Sequence, residues 1–276
     1  MTPQQAAGSE YDARIRRAEK LIAEKSSASE LLSFYKRIGS FQKTFVGQIS
    51  DAGKQQPAVQ QFGSLRESLD LTLLLPHFRN FLSLVEQNAP NALAAAAREI
   101  AAMPSDAWIS LLTAYWELGG LFDQEIGAFA QFFPRAFLQP YAAYIAGRTA
   151  VPPVSATPRV CPLCRGRALF GVLRVEGDGG KRCMVCSFCG YEWEFRRILC
   201  PTCGEEEEKK LPVYVAEQFP HIRVEACETC KFFVRTIDLT KDGHAVPVVD
   251  DLGAIPLTLW AHEHGYSRLQ PNLFGS

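Results

Sequence analysis

The first 160 residues of this 276-residue chain contain no cysteine, and all nine cysteines lie between Cys161 and Cys230. Thiolate chemistry is therefore excluded from the N-terminal half. The single histidine there, His77, reads as a packed or surface residue rather than a ligand. An excess of one charge is also missing: 29 Lys and Arg stand against 30 Asp and Glu, and the sequence pI is near 6.5. That balance offers no strongly basic domain of the kind that binds nucleic acid. Nor is there an uninterrupted apolar run of membrane-spanning length, because the most apolar stretch, 69–85, is broken by Asp70, Pro76, His77 and Arg79. The opening MTPQQAAGSEYDARIRRAEK has no apolar core of a signal peptide. The expectation is a soluble cytoplasmic protein with no membrane insertion, whose cysteines stay reduced instead of forming disulfides.

What the chain does have is four CxxC pairs: Cys161 with Cys164, Cys186 with Cys189, Cys200 with Cys203, and Cys227 with Cys230. Two residues between thiolates let a tight turn present both sulfurs to one tetrahedral ion. Gly166, Gly190 and Gly204 follow three of the pairs, where a positive φ is expected, and Lys231 follows the fourth. A lone CxxC would fit a redox dithiol, but that motif opens a helix in a βαβ context, and no such context surrounds these pairs.

Adjacent pairs are expected to share an ion. Between Cys164 and Cys186 lies an apolar strand, a Gly-rich turn at 177–180 and a return strand; between Cys203 and Cys227, LPVYVAEQF and IRVEA flank Pro220 in the same way. The spacing thus predicts two rubredoxin-like or zinc-ribbon modules, with metal ligands Cys161, Cys164, Cys186 and Cys189 in the first and Cys200, Cys203, Cys227 and Cys230 in the second. Cys183 is left over and reads as a packed or half-exposed thiol. Two metal ions per chain are expected, and four thiolates suit zinc or a single iron about equally. A closed set leaves no coordination position for water, so hydrolytic catalysis is disfavoured and no catalytic residue is assigned.

The N-terminal half reads as helical. Ile15, Ala18, Leu21 and Ile22 share one face, and Leu31, Phe34, Tyr35, Ile38, Phe41 and Phe45 form a 3.6-residue stripe. Further helical patterns run over 69–85, with a kink or break at Pro76, over 89–102, from a Ser105 cap onward, and over 123–146, interrupted by Pro134 and Pro140. The aromatic cluster 129–144 reads as core. Composition shifts at a Pro-rich segment. The expected division is a helical domain at 1–150, a linker at 151–158, a first four-cysteine module at 159–198, and a second at 199–276 that ends in a helix capped by Asp250 or Asp251. The fold class is α+β, multidomain: an all-α N-terminal domain, then two small β modules and a short C-terminal helix.

Taken in order, CPLCRG, CSFCGYEW, RILCPTCG, EACETC and the tail DDLGAIPLTLWAHEHGY, behind a helical half, resemble the FdhE family of formate dehydrogenase accessory proteins. The resemblance implies a non-enzymatic, chaperone-like cytoplasmic factor whose partner is the formate dehydrogenase catalytic subunit. It also implies rubredoxin-like iron binding, which favours iron over zinc. Two other classes stand beside it. A zinc-ribbon nucleic-acid-binding protein would need a basic face, for which Arg165, Arg167, Arg174, Lys181, Arg182, Arg196 and Arg197 give the first module a local bias. A rubredoxin-like electron-transfer or thiol redox protein would need metals or dithiols that cycle.

Overall fold

Helical stripes and alternating strands separate cleanly along the chain. In the computed structural model they form two compact units, Met1–Ala150 and Val151–Ser276. The structure describes residues 3–24, 27–53, 65–119, 128–153, 156–177 and 179–275.

The described residues of the first unit hold six α-helices: α1 (Pro3–Ala23), α2 (Ser29–Gly53), α3 (Leu71–Asn88), α4 (Asn91–Ala102), α5 (Ser105–Leu118) and α6 (Ala128–Ala146). Of the expected stripe on α2, Phe34, Tyr35, Ile38 and Phe45 are buried while Leu31 and Phe41 are half-buried, and Leu32 and Ile49 join the buried face. Rings of α2, α3 and α6 meet: the Phe45 and Phe137 centroids are 5.0 Å apart, Phe78 and Phe137 4.9 Å, and Phe41 and Phe81 5.3 Å. The described part of the aromatic cluster, including Phe132, Phe133, Phe137 and Tyr141, is core.

The prolines do not end helices here. Pro76 lies inside α3, and Pro134 and Pro140 inside α6. An interior proline costs roughly 3 kcal/mol in lost hydrogen bonding and clash. Burial of Phe133, Phe137, Leu138 and Tyr141 around the two prolines of α6 outweighs that, at about 1.5–3 kcal/mol for each large apolar side chain. Two caps differ from expectation as well. Pro104 takes the N-cap position of α5, so Ser105 is its first residue, and Asp70 caps α3 by accepting a 3.1 Å bond from the Leu73 N–H.

The second unit contains β1 (Ala168–Glu176), β2 (Gly179–Cys186), β3 (Glu192–Glu194), β4 (Val213–Val215), β5 (Ile222–Ala226) and β6 (Phe232–Asp238), then α7 (Pro247–Gly253), α8 (Ile255–Glu263) and a two-residue β7 (Ser267–Arg268). Each cysteine module is a three-stranded antiparallel meander, β1-β2-β3 in one and β4-β5-β6 in the other. They are not separate. β1 pairs in parallel with β6, Gly171 opposite Thr236 and Val172 opposite Ile237, so the sheet order is β3-β2-β1-β6-β5-β4 with β7 beside β6. Gly171 permits this join, because a Cβ there would lie 2.3 Å from Thr236 Oγ1.

Ile222, Val224, Ala226 and Phe233 of the sheet pack with Leu257 and Ala261 of α8. Asp250 and Asp251 do not cap a helix. They lie within α7 and are buried, Asp250 accepting from the Val246 N–H through Oδ2 and pairing with His221 Nε2 through Oδ1 at 2.9 Å. Among the described residues no helix is long and apolar enough to cross a membrane.

Candidate metal centres

Four turns built on one plan present the cysteines. In each, the N–H of the first cysteine donates to the carbonyl five residues on: Cys161 to Gly166, Cys186 to Tyr191, Cys200 to Glu205 and Cys227 to Phe232, at 2.8–3.0 Å. The N–H four residues on then returns to the first cysteine's carbonyl, from Arg165, Gly190, Gly204 and Lys231. That residue is forced into the left-handed region, with φ of 64°, 70°, 83° and 58° respectively.

The first turn departs from the expected pattern, since Arg165 carries the positive φ and not Gly166. Gly166 is required for another reason. A Cβ there would lie 2.9 Å from Cys186 Sγ and 3.2 Å from Cys164 Sγ, so the glycine leaves room for sulfurs. Its N–H also points at Cys164 Sγ at 3.4 Å, as the Phe188 N–H does at Cys186 Sγ and the Thr202 N–H at Cys200 Sγ.

The meanders bring the turns together in adjacent pairs. Cys161, Cys164, Cys186 and Cys189 form one cluster, and Cys200, Cys203, Cys227 and Cys230 the other, each with all sulfurs within 4.8 Å of one another. Cross-turn Sγ–Sγ distances are 3.7 Å for Cys161–Cys189, 3.3 Å for Cys164–Cys186, and 3.7 Å for both Cys200–Cys230 and Cys203–Cys227. Thiolates held about 2.3 Å from a central zinc at tetrahedral angles would stand about 3.8 Å apart. The donor sets therefore fit a four-sulfur metal ion.

Electrostatics agree. Hydrogen bonds from Cys164, Cys186 and Cys189 hold the Cys161 thiol low, while burial, followed by its contacts with Cys161, Cys164 and Cys189, drives Cys186 well above the ordinary thiol range. In the second cluster burial raises Cys230. Four thiolates cannot share so small a space without a cation to offset their repulsion. Cys183 joins neither cluster. It is buried on β2, and its thiol is pushed up to about 11 by burial first and then by the Glu192 carboxylate.

Residues that spacing did not single out brace the second cluster. Thr229 donates to Glu205 Oε2 at 2.5 Å, tying the two turns together, and Arg159 Nη1 donates to the Thr202 carbonyl at 2.9 Å. In the first module the Glu192-Trp193 dipeptide has two tasks. Glu192 pairs with Arg174 through both oxygens at 2.6 Å, and the Trp193 indole N–H bonds the Pro158 carbonyl at 2.9 Å, fixing the end of the Pro-rich segment to β3. The local basic bias is largely compensated: Arg174, Lys181, Arg182 and Arg196 lie beside Glu192, Glu194, Glu225 and Glu206.

Comparison with known proteins places these features. Residues 160–197 match the family profile described as FdhE, central domain, and residues 198–274 that described as FdhE, C-terminal domain. The chain is 24% identical over 262 residues to a protein named Protein FdhE homolog from Aquifex aeolicus, covering 90% of this chain and 89% of that one. A homologue of the same name from Pseudomonas aeruginosa is 31% identical over 164 residues, covering 56% of this chain and 52% of the relative. The crystal structure of the FdhE protein from Pseudomonas aeruginosa superposes with a TM-score of 0.66 at 24% identity, covering 96% of this chain and 95% of that chain, a likeness of fold.

Proposed function

We propose that this chain, whose residues 160–274 match the central and C-terminal domain profiles of FdhE, is a member of that family and a non-enzymatic accessory protein for the assembly of formate dehydrogenase, acting in the cytoplasm on the immature catalytic subunit. The observation that carries this reading is the coincidence of the family's two domains with two four-sulfur clusters, one in each.

In this reading Cys161, Cys164, Cys186 and Cys189 hold one metal ion and Cys200, Cys203, Cys227 and Cys230 hold another. A bound ion would supply cross-linking between the turns and, if it were iron, a one-electron redox centre. Four protein sulfurs leave no coordination position for substrate water, in keeping with an accessory role rather than a hydrolytic one. What the chain's own residues do is structural. The N–H groups of Gly166, Phe188 and Thr202 orient sulfurs, the Thr229–Glu205 bond fixes one turn against another, and the shared sheet holds the two clusters in one unit.

Iron is favoured over zinc on the family resemblance, and zinc satisfies the same donor set. The nucleic-acid reading is weakened by the carboxylates beside four of the seven basic side chains on which it rested.

The test is an anaerobic affinity purification of the tagged chain from its own cells. Recovery of a formate dehydrogenase catalytic subunit, lost in variants of either cysteine cluster, is the expected result. Recovery of nucleic acid or an unrelated enzyme instead would overturn the assignment.

A further inference from the structure

The two clusters share a plan but not an environment. In the first, all four cysteines are buried, at 0%, 1%, 0% and 1% exposure for Cys161, Cys164, Cys186 and Cys189. Phe188, itself 1% exposed, and Leu163 lie within its turns and are buried with it. In the second, Cys200 and Cys227 are buried, Cys230 is half-buried and Cys203 is exposed.

A second observation points the same way. A pocket of about 150 Å³ opens against the second cluster, lined by Cys200 and Cys227 together with Val213, Glu225 and the guanidinium-bearing Arg197 and Arg223. Arg197 is exposed at the rim, and the outward Val213 belongs to β4, the edge strand of the sheet. An approaching ligand thus meets an exposed cysteine on one side and, on the other, a pocket lined by two more, where Arg182 and Arg223 are paired with Glu225 and Asp238 and Arg197 is the exposed cation.

From this asymmetry we infer that the second cluster is the exchange-competent metal centre of the chain, open to small anionic or thiol-bearing ligands and to a partner's side chains, while the first is a fixed structural core. The inference rests on the two-metal reading above. Its physical basis is access. A competing ligand displaces a protein thiolate by reaching the metal or the sulfur directly, and a thiol's reactivity follows exposure. At the first cluster the same step needs a local opening of the β1-β2 hairpin and its turns, which is rare in a packed sheet. At the second, Cys203 and Cys230 are reachable with the fold intact. Exchange conserves charge: the departing ion leaves with the chelator, and the freed thiolates take up protons.

The test uses the full chain loaded with zinc, its metal content measured first, then mixed with a chromogenic chelator in the presence of N-ethylmaleimide. Peptide mass spectrometry at intervals reports which cysteines become alkylated. The expected result is release in two phases of one equivalent each, with rates at least about tenfold apart. Cys203 and Cys230 are labelled during the fast phase, and Cys161 to Cys189 remain protected until the slow one. Cys203→Ser should abolish the fast phase and leave the slow one unchanged. Release of both equivalents together, or earlier labelling of the first cluster, would overturn the inference while leaving the two-metal reading intact. Fewer than two equivalents bound before chelator is added would overturn that reading, and this inference with it.

Discussion

Asp251 lies between two buried arginines: its Oδ1 is 2.9 Å from Arg235 Nε and 2.7 Å from Arg268 Nη2, with Arg268 also 2.9 Å from Oδ2. Arg235 is fully buried and reaches onward to the Ala254 carbonyl, so one carboxylate of α7 joins β6, β7 and the start of α8. Burial, and then the like charge of Arg268, depress the Arg235 guanidinium, and Asp251 opposes both effects.

Removing that carboxylate strands two positive charges in the interior. Asp251→Asn is expected to destabilise the second unit by about 3–5 kcal/mol, the range for breaking a buried ion pair. Denaturant melts of the full chain, followed by hydrogen exchange of β6, check it, with α1 to α6 keeping their protection. A loss below about 1 kcal/mol would mean the pair is a solvated surface bridge.

The parallel join between the meanders gives a second prediction. Gly171→Ala places a Cβ 2.3 Å from Thr236 Oγ1, and overpacking of this kind costs typically 1–3 kcal/mol. Thr236→Ala in the same chain should restore part of that loss, because it removes Oγ1, the nearest atom, and Cγ2 at 3.3 Å while the Cβ at 3.2 Å stays. Thermal melts of the two single variants and the double variant read the coupling directly.

This join is also where the sequence stops being legible. The turn spacings and the strand-turn-strand segments identified both cysteine clusters and their adjacent pairing, since each depends on contacts within about forty residues. Pairing of β1 with β6 depends on residues 65 positions apart, and its local trace is a single small residue, Gly171. At Asp251 the expected cap gives way to an ion pair for a related reason. A buried ion pair and a helix cap use the same residue type, and only the positions of Arg235 and Arg268 distinguish them. Pro134 and Pro140 show burial overriding a local rule.

Within the turns, Arg165 and Gly166 should respond in opposite directions. Arg165→Gly relieves a left-handed residue, worth roughly 1–2 kcal/mol before the glycine's own entropy is set against it. Metal retention should hold or improve. Gly166→Ala pushes a methyl towards Cys186 Sγ and should lower the first cluster's affinity by about tenfold or more, the scale on which outer-shell changes act. Competition against a chelator of known affinity measures both.

Cys183 provides the control on the ligand assignment. It is buried and outside both clusters, so Cys183→Ser should leave metal content unchanged, with a stability change within about 1 kcal/mol because the hydroxyl can take over the thiol's hydrogen bond to Glu192. Loss of a full metal equivalent would make it a ligand.

The most direct test of the central claim is metal stoichiometry by native mass spectrometry on chain purified without added metal, together with Cys164→Ser and Cys203→Ser variants. The account predicts two ions per chain in the parent and one in each variant, the lost ion coming from the cluster that was altered. A single ion that disappears in both variants would show one shared site, and chains with no metal and intact β-sheet would show the clusters to be something other than metal centres.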